Sequence, residues 1–339
     1  MIKNNLILPL LCISISFILI SCSASYITEK NGTYNITAKN AGWTIVFPSN
    51  DYTFKKNKNN TDERCYYLFK HKNYDIIVSV DVMPNYEFND EKQFRDAEWE
   101  NLKSTFSNAK NIVKTNYPGC ALVEYLVPDA MGLIKDYKSM HAYYLKDGYE
   151  IILHVSKVLF KESDQRMFDD IFKSVRFDKS EVKKEEINIK DSISKATQYF
   201  VEKGIRYLKK DNVDKVQYYY QKAYENELKE PTLDNQLCNI ILVQLAGLYG
   251  IKNDVDKSKE VMRYGLSRDS TYPMFYYTLA CAYAETNDLN KCIENLRTAY
   301  KYKKYLSEDE TIPDPRQDDS FQKYLDNEKF QQALKEIGA

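Results

Sequence analysis

From residue 42 to about 178, short apolar runs with period-two alternation are separated by turn residues, and two stretches break into a helical period. Gly42-Trp43-Thr44-Ile45-Val46-Phe47-Pro48 reads as a strand stopped by proline. Arg64 to Phe69 and Tyr74 to Val82 are rich in β-branched and aromatic residues and flank His71-Lys72-Asn73, which predicts a hairpin. Asp90 to Ala109 spaces Phe94, Ala97, Leu102 and Phe106 among charges, an amphipathic helix with Asn89 or Asp90 as its N-cap. Ile112 to Asn116 and Cys120 to Val127 flank Pro118-Gly119. Tyr137 to Leu145 and Tyr149 to Val158 flank Lys146-Asp147-Gly148, where Asp-Gly marks a tight hairpin turn. Ser163 to Ser174 predicts a second helix, and Val175-Arg176-Phe177 a final strand. This order predicts an α+β domain over residues 40–178, an antiparallel sheet with helices against it.

Residues 179–191 are charged and lack aromatics, which marks a linker. From 192 to 339 the period is helical throughout, and three segments align with one another. The first holds Phe200, Gly204 and Tyr207, then Tyr220 and Ala223. The second holds Leu242, Leu245, Ala246 and Tyr249, then Met262 and Gly265. The third holds Tyr276, Leu279, Ala280 and Tyr283, then Cys292, Leu296 and Ala299. In each, an aromatic follows a small residue by three, and a second small residue returns further on. Such spacing suits paired helices, with small residues at the close approach and aromatics between pairs. Gly204 to Ala246 is longer than Ala246 to Ala280, which predicts an insertion around Lys229 to Asn235.

Two resemblances follow from these residues. "GWTIVFPSND", "YYLKDGYEIILHVSK" and "FDDIFKSVRF" resemble the Mog1/PsbP-like fold over most of residues 42–177. That resemblance implies a fold and no activity. The three helical segments resemble the tetratricopeptide repeat (TPR), a helix–turn–helix unit of about 34 residues. They depart from its pattern where Val216, Ser258 and Cys292 replace a small alanine. Asp314-Pro315, Asp318 and Phe321, followed by Leu325, Phe330 and Leu334, resemble the tail that closes such arrays. In the TPR family the first helix of each pair lines a concave face that holds peptide segments. Carried over by position, that face comprises Gln198, Val201, Ile205, Ile240, Val243, Met274, Tyr277 and Cys281. The simpler alternative is that some of these apolar residues are buried against neighbouring helices.

The first 21 residues have a different pattern. Lys3 precedes an apolar run from Leu6 to Ile20, then small residues, the order of a secretory signal peptide. The run is shorter than the roughly 20 residues a membrane span needs. Leu19-Ile20-Ser21-Cys22 resembles the bacterial lipobox. The resemblance implies lipidation of the Cys22 thiol, cleavage before it, and acylation of the new amine with a chain such as palmitate. More than one chain is needed for a firm hold. An ordinary signal peptide with an incidental cysteine is the alternative. Residues 22–39 are then a polar, lipid-anchored tether, and Ser23 leans the location towards the outer membrane, facing the periplasm.

Composition narrows the chemistry. The net charge of −1 provides no broad basic field for nucleic acid. Cys65, Cys120, Cys238, Cys281 and Cys292 are widely spaced, and no CxxC occurs, so no disulfide framework is expected. His71, His141 and His154 are the only histidines. His141 and His154 fall on the two strands of one hairpin, but no carboxylate or thiol pair lies beside them at metal-ligand spacing. No metal, cofactor or catalytic residue is expected. The expectation is a non-enzymatic, lipid-anchored envelope protein with a protein or peptide partner at its repeats. The alternatives are an envelope hydrolase with a site between the domains, or a small-molecule or lipid carrier using the first domain.

Overall fold

The computed structural model describes residues 25–38, 41–56, 65–128, 136–180 and 188–339. The signal segment, Cys22 and most of the charged linker lie outside the described residues. The chain divides into two compact units, whose described parts are residues 25–180 and 188–339. The first is α+β with antiparallel sheets and the second is wholly helical, the fold class that the hydrophobic pattern predicts.

The first unit contains two sheets rather than one. Strands β1 (Ser25–Lys30), β2 (Thr33–Ala38), β3 (Trp43–Pro48) and β11 (Arg176–Lys179) form a four-stranded sheet in the order β1-β2-β3-β11. The second sheet has seven strands: β4 (Tyr52–Lys56), β5 (Cys65–His71), β6 (Ile76–Pro84), β7 (Lys110–Tyr117), β8 (Cys120–Val127), β9 (Tyr137–Lys146) and β10 (Tyr149–Val158). Its order is β4-β5-β6-β10-β9-β8-β7, and all its pairs are antiparallel. Helix α1 (Glu91–Thr105) is capped by the Asp90 side chain, which accepts from Gln93 N, and α2 (Gln165–Ser174) precedes β11.

Residues 25–38 correct one expectation. Read as polar tether, they form the β1–β2 hairpin around Asn31-Gly32, both residues at positive φ. Asn-Gly is the strongest short hairpin signal, because both central residues of a type I′ turn need φ above zero. The alternation of Tyr34 and Ile36 with Thr33 and Asn35 supplies a buried face. Strand β4 carries no apolar run to mark it, because Tyr52–Lys56 has more polar than apolar side chains.

Strand alternation gives the seven-stranded sheet two covered faces. One face, with Tyr67, Phe69, Val78, Val80, Leu153 and Val155, packs with Trp43, Ile45 and Phe47 of the smaller sheet and with Phe168 and Ile171 of α2. The other carries Val123, Tyr125, Tyr143 and Ile152, which pack with Phe94 and Trp99 of α1. Both clusters hold large side chains with essentially no exposure, among them Trp43, Phe69, Phe94 and Tyr143.

The second unit is a succession of antiparallel helix pairs: α3 (Ile189–Leu208) with α4 (Val213–Lys229), α5 (Asn235–Ile251) with α6 (Val255–Arg268), and α7 (Pro273–Glu285) with α8 (Leu289–Lys301). A 3-10 turn (Asp319–Tyr324) packs on α7, and α9 (Glu328–Ile337) packs on α8. Among the described residues no helix is long and apolar enough to cross a membrane.

Candidate interaction face of the helical repeats

One local device is built three times. Asp211, Asn253 and Asn287 adopt positive φ at the turn inside each pair. The next residues, Asn212, Asp254 and Asp288, cap the second helix by accepting from the backbone N–H of Lys215, Lys257 and Lys291. Their own N–H groups donate to the carbonyls of Tyr207, Tyr249 and Tyr283. The ammonium groups of the same three lysines then lie 5.8, 5.4 and 5.2 Å from the ring centres of the same three tyrosines, within cation–π range. Asn and Asp suit the turn because their short side chains tolerate left-handed backbone and cap helices.

The small residues sit where helices meet. A Cβ on Gly204 would lie 2.3 Å from a ring carbon of Tyr220, across the first pair. A Cβ on Gly265 would lie 2.5 Å from the Phe275 ring of the following pair. Ala246 and Ala280, at the position of Gly204 in the other pairs, are fully buried.

The insertion between α4 and α5 is fastened by Glu227, which is 1% exposed. Its Oε1 accepts from Thr232 N (2.7 Å), Thr232 Oγ1 (2.9 Å) and Leu233 N (3.0 Å). Its Oε2 pairs with Arg268 at 2.9 Å, and Arg268 also donates to the carbonyl of Leu233. A buried carboxylate is tolerable here because its lone pairs are met by backbone, hydroxyl and guanidinium donors. The repeat spacing marked extra length here, but nothing in the sequence pointed to this clamp, whose parts are 41 residues apart.

The eight residues carried over from the TPR resemblance separate into two groups. Gln198 is exposed, and Ile205 on α3 and Ile240 on α5 are half-buried. Val201, Val243 and Met274 are buried at 3%, 8% and 4%. Gln198, Glu202 and Ile205 follow helical spacing on one face of α3. Glu202 is exposed as a side chain, but partial desolvation raises its carboxyl above the usual range, with Arg206 opposing.

Tyr277 and Cys281, on α7, meet the chain's own tail. The Tyr277 hydroxyl donates to Asp318 Oδ2 at 2.9 Å, and the Cys281 thiol points to the same oxygen at 3.7 Å. The Phe321 ring lies edge-on to Tyr277, centroids 5.8 Å apart, and packs against Phe330 of α9. Upstream in the tail, Glu310 accepts from the Tyr272 hydroxyl at 2.6 Å. Burial first, then the neighbouring Asp318, pushes the Cys281 thiol well up, so it stays protonated and donates. Cys281 and Cys292 are both free thiols.

The three histidines lie in the first unit. His141 and His154 are cross-strand partners on β9 and β10, and their rings stack with centroids 4.3 Å apart and planes at 18°. Ser139 Oγ lies 3.0 Å from His141 Nε2 and 2.9 Å from His154 Nε2. The Tyr125 hydroxyl reaches His141 Nε2 at 3.2 Å, and the Tyr137 hydroxyl reaches His154 Nε2 at 3.4 Å. Ser79 Oγ is 3.4 Å from His154 Nδ1. His71 is separate, beside Tyr52 and Tyr74. Among the described residues no group of three or more metal-ligating side chains occurs.

No known protein family matches the chain, and no curated protein does. Solved structures are similar over parts of it, among them the following three. The C-terminal TPR-containing domain of a Plasmodium falciparum FK506-binding protein is 17% identical, covering 44% of this chain and 97% of that one, with a TM-score of 0.33. Cyanobacterial PsbP from Synechocystis is 9% identical, covering 46% of this chain and 94% of that one, with a TM-score of 0.29. A Bacteroides thetaiotaomicron protein is 11% identical, covering 65% of this chain and 79% of that one, also with a TM-score of 0.29.

Proposed function

We propose that this chain is a cell-envelope lipoprotein, anchored through lipid on Cys22, whose helical repeats bind a segment of a partner protein without catalysis. The observation that carries the reading is the contrast along the first helices of the pairs. On α7 the face is engaged by the chain's own tail, through Phe321 in the 3-10 turn and its cap Asp318. On α3 and α5, Val201 and Val243 at the position of Tyr277 are buried, but beside them Gln198 is exposed and Ile205 and Ile240 are half-exposed. A partner segment would lie across those two helices, burying the isoleucine side chains and bonding to Gln198. Burying such apolar surface contributes roughly 25 cal/mol per Å².

The anchor rests on the sequence around Cys22, and the lean towards the outer membrane, facing the periplasm, rests on Ser23. Two variants test the two halves separately. Cys22→Ser should release the folded protein from the membrane fraction, and continued retention would refute the lipid anchor. In the native envelope, Ile205→Glu with Ile240→Glu should lose the partner captured by the wild-type chain, at unchanged helical content. Equal capture by both proteins would refute the repeat face as the binding site.

A further inference from the structure

The stacked histidines sit beneath α1 in a way that links their charge to that helix. Tyr125 and Tyr137, whose hydroxyls bond the two rings, belong to the apolar cluster that seats α1. Trp99 of α1 lies 5.1 Å from the Tyr125 ring, and Phe106, the C-cap of α1, packs on both tyrosines. The same two side chains thus hold the helix on one side and the histidines on the other.

We propose that the His141–His154 stack is an acid-responsive latch, which keeps α1 seated while both rings are neutral and releases it when one is charged. With neutral rings, the single proton of Ser139 serves one Nε2 while the other ring donates to the Ser139 oxygen. An imidazolium in either place is surrounded by hydroxyls, and no described group bonded to either ring is a carboxylate. A second charge would lie 4.3 Å from the first. The titratable groups sharing this face are few among the described residues. They include Tyr66 from β5 opposite Asp81 of β6, Tyr125 from β8, Tyr137 and Tyr143 from β9 and Glu150 from β10, with Arg95 and Glu98 of α1 acting on Tyr143. Neither carboxylate of the sheet offsets the desolvation that dominates both rings. Burial lowers His154 from 6.5 to about 4, and lowers His141 well below 6.5 with the His154 charge adding to the effect. Unseating α1 exposes Tyr125 and Tyr137, lets water reach the rings and returns them towards their ordinary affinity for protons.

Hydrogen exchange on the full-length protein, corrected for the intrinsic pH dependence of amide exchange, tests this. The amides of α1 should open about 20-fold more often at pH 5 than at pH 7, the shift that His154 alone supplies if its value rises from about 4 to 6.5 on opening. Amides of α2, on the opposite face of the sheet, should change less than twofold. A nuclear magnetic resonance titration of the His154 ring should track the loss of α1 protection, and His141→Asn with His154→Asn should abolish the pH dependence. Equal α1 protection at both pH values overturns the latch. So does a parallel loss in α2, or a pH dependence that persists in the double variant.

Discussion

The two units satisfy their polar groups by different strategies. The helical unit solves a small problem three times: a turn residue at positive φ, an Asn or Asp cap, and a lysine over a tyrosine. Each solution involves residues within about one turn of chain on either side of the bend. The sheet unit solves its problem once, in a network that joins β6, β8, β9 and β10 through Ser79, Tyr125, Tyr137, Ser139, His141 and His154. Local, repeated solutions can fail singly and be compared with one another. A single shared network has no spare copy.

The contrast can be broken at several points, the largest effect coming first. Phe321→Ala removes a fully buried ring from the tail, and should cost about 3–5 kcal/mol in chemical denaturation of the helical unit. A cost below 1 kcal/mol would mean that the tail is not an integral cap. Acidification should then separate the units by pH window. The folded-state value of His154 lies below its unfolded value, so its contribution is complete above about pH 6.5 and is lost as pH falls towards 4. Loss of roughly 3 kcal/mol across that window is expected for the sheet unit. In the helical unit the caps Asp254 and Asp288 are held below the usual carboxylate range, chiefly by bonds from Lys257 and Lys291. Their contribution is therefore present above the ordinary aspartate value and is lost only at lower pH than the histidine window. Melting curves that fall together for both units would remove the distinction.

Gly204→Ala should destabilise the helical unit by about 1–3 kcal/mol, since the new methyl overlaps a Tyr220 ring that is itself buried. Adding Tyr220→Leu should recover part of that loss, and no recovery would place the strain elsewhere. The smallest effect belongs to the turns. Asn253→Ala and Asn287→Ala should each cost about 1 kcal/mol, the penalty of left-handed backbone without a compensating side chain. Similar values at the two sites would support equivalence of the repeated device.

Legibility in the sequence follows the same division. The helix pairs were readable because their signals are local: Asn287-Asp288 and the small residues at Gly204, Ala246 and Ala280. The longer first spacing was read as a loop insertion, but it lies mainly in the greater length of α4 and α5, with the Glu230–Asp234 connection only slightly longer than Asp269–Tyr272. Most strands of the larger sheet were also readable, since Asp147-Gly148 and Pro118-Gly119 sit between alternating runs. The second sheet was not, because β11 reaches back to β3 across more than a hundred residues and no short-range pattern encodes that pairing. The meeting of His141 with His154 followed from hairpin register, but Ser79 and Tyr125 joined them only through tertiary pairing. On the candidate face, positions carried over from the TPR resemblance put Gln198 and Ile205 on α3 and Ile240 on α5. The resemblance did not reveal that Asp318, read only as part of a capping pattern, would bond Tyr277 and Cys281.

The central claim is that the first two helix pairs present an open face while the third is closed by the tail. Site-specific photocrosslinking in the native envelope tests it most directly, with a photoreactive residue at Gln198 or Ile240, at Tyr277, or at exposed Arg263 on α6 as the reference. Protein adducts should form from Gln198 and Ile240, with Tyr277 yielding only links within the chain. Adducts from Gln198 and Ile240 no stronger than those from Arg263 would contradict the claim.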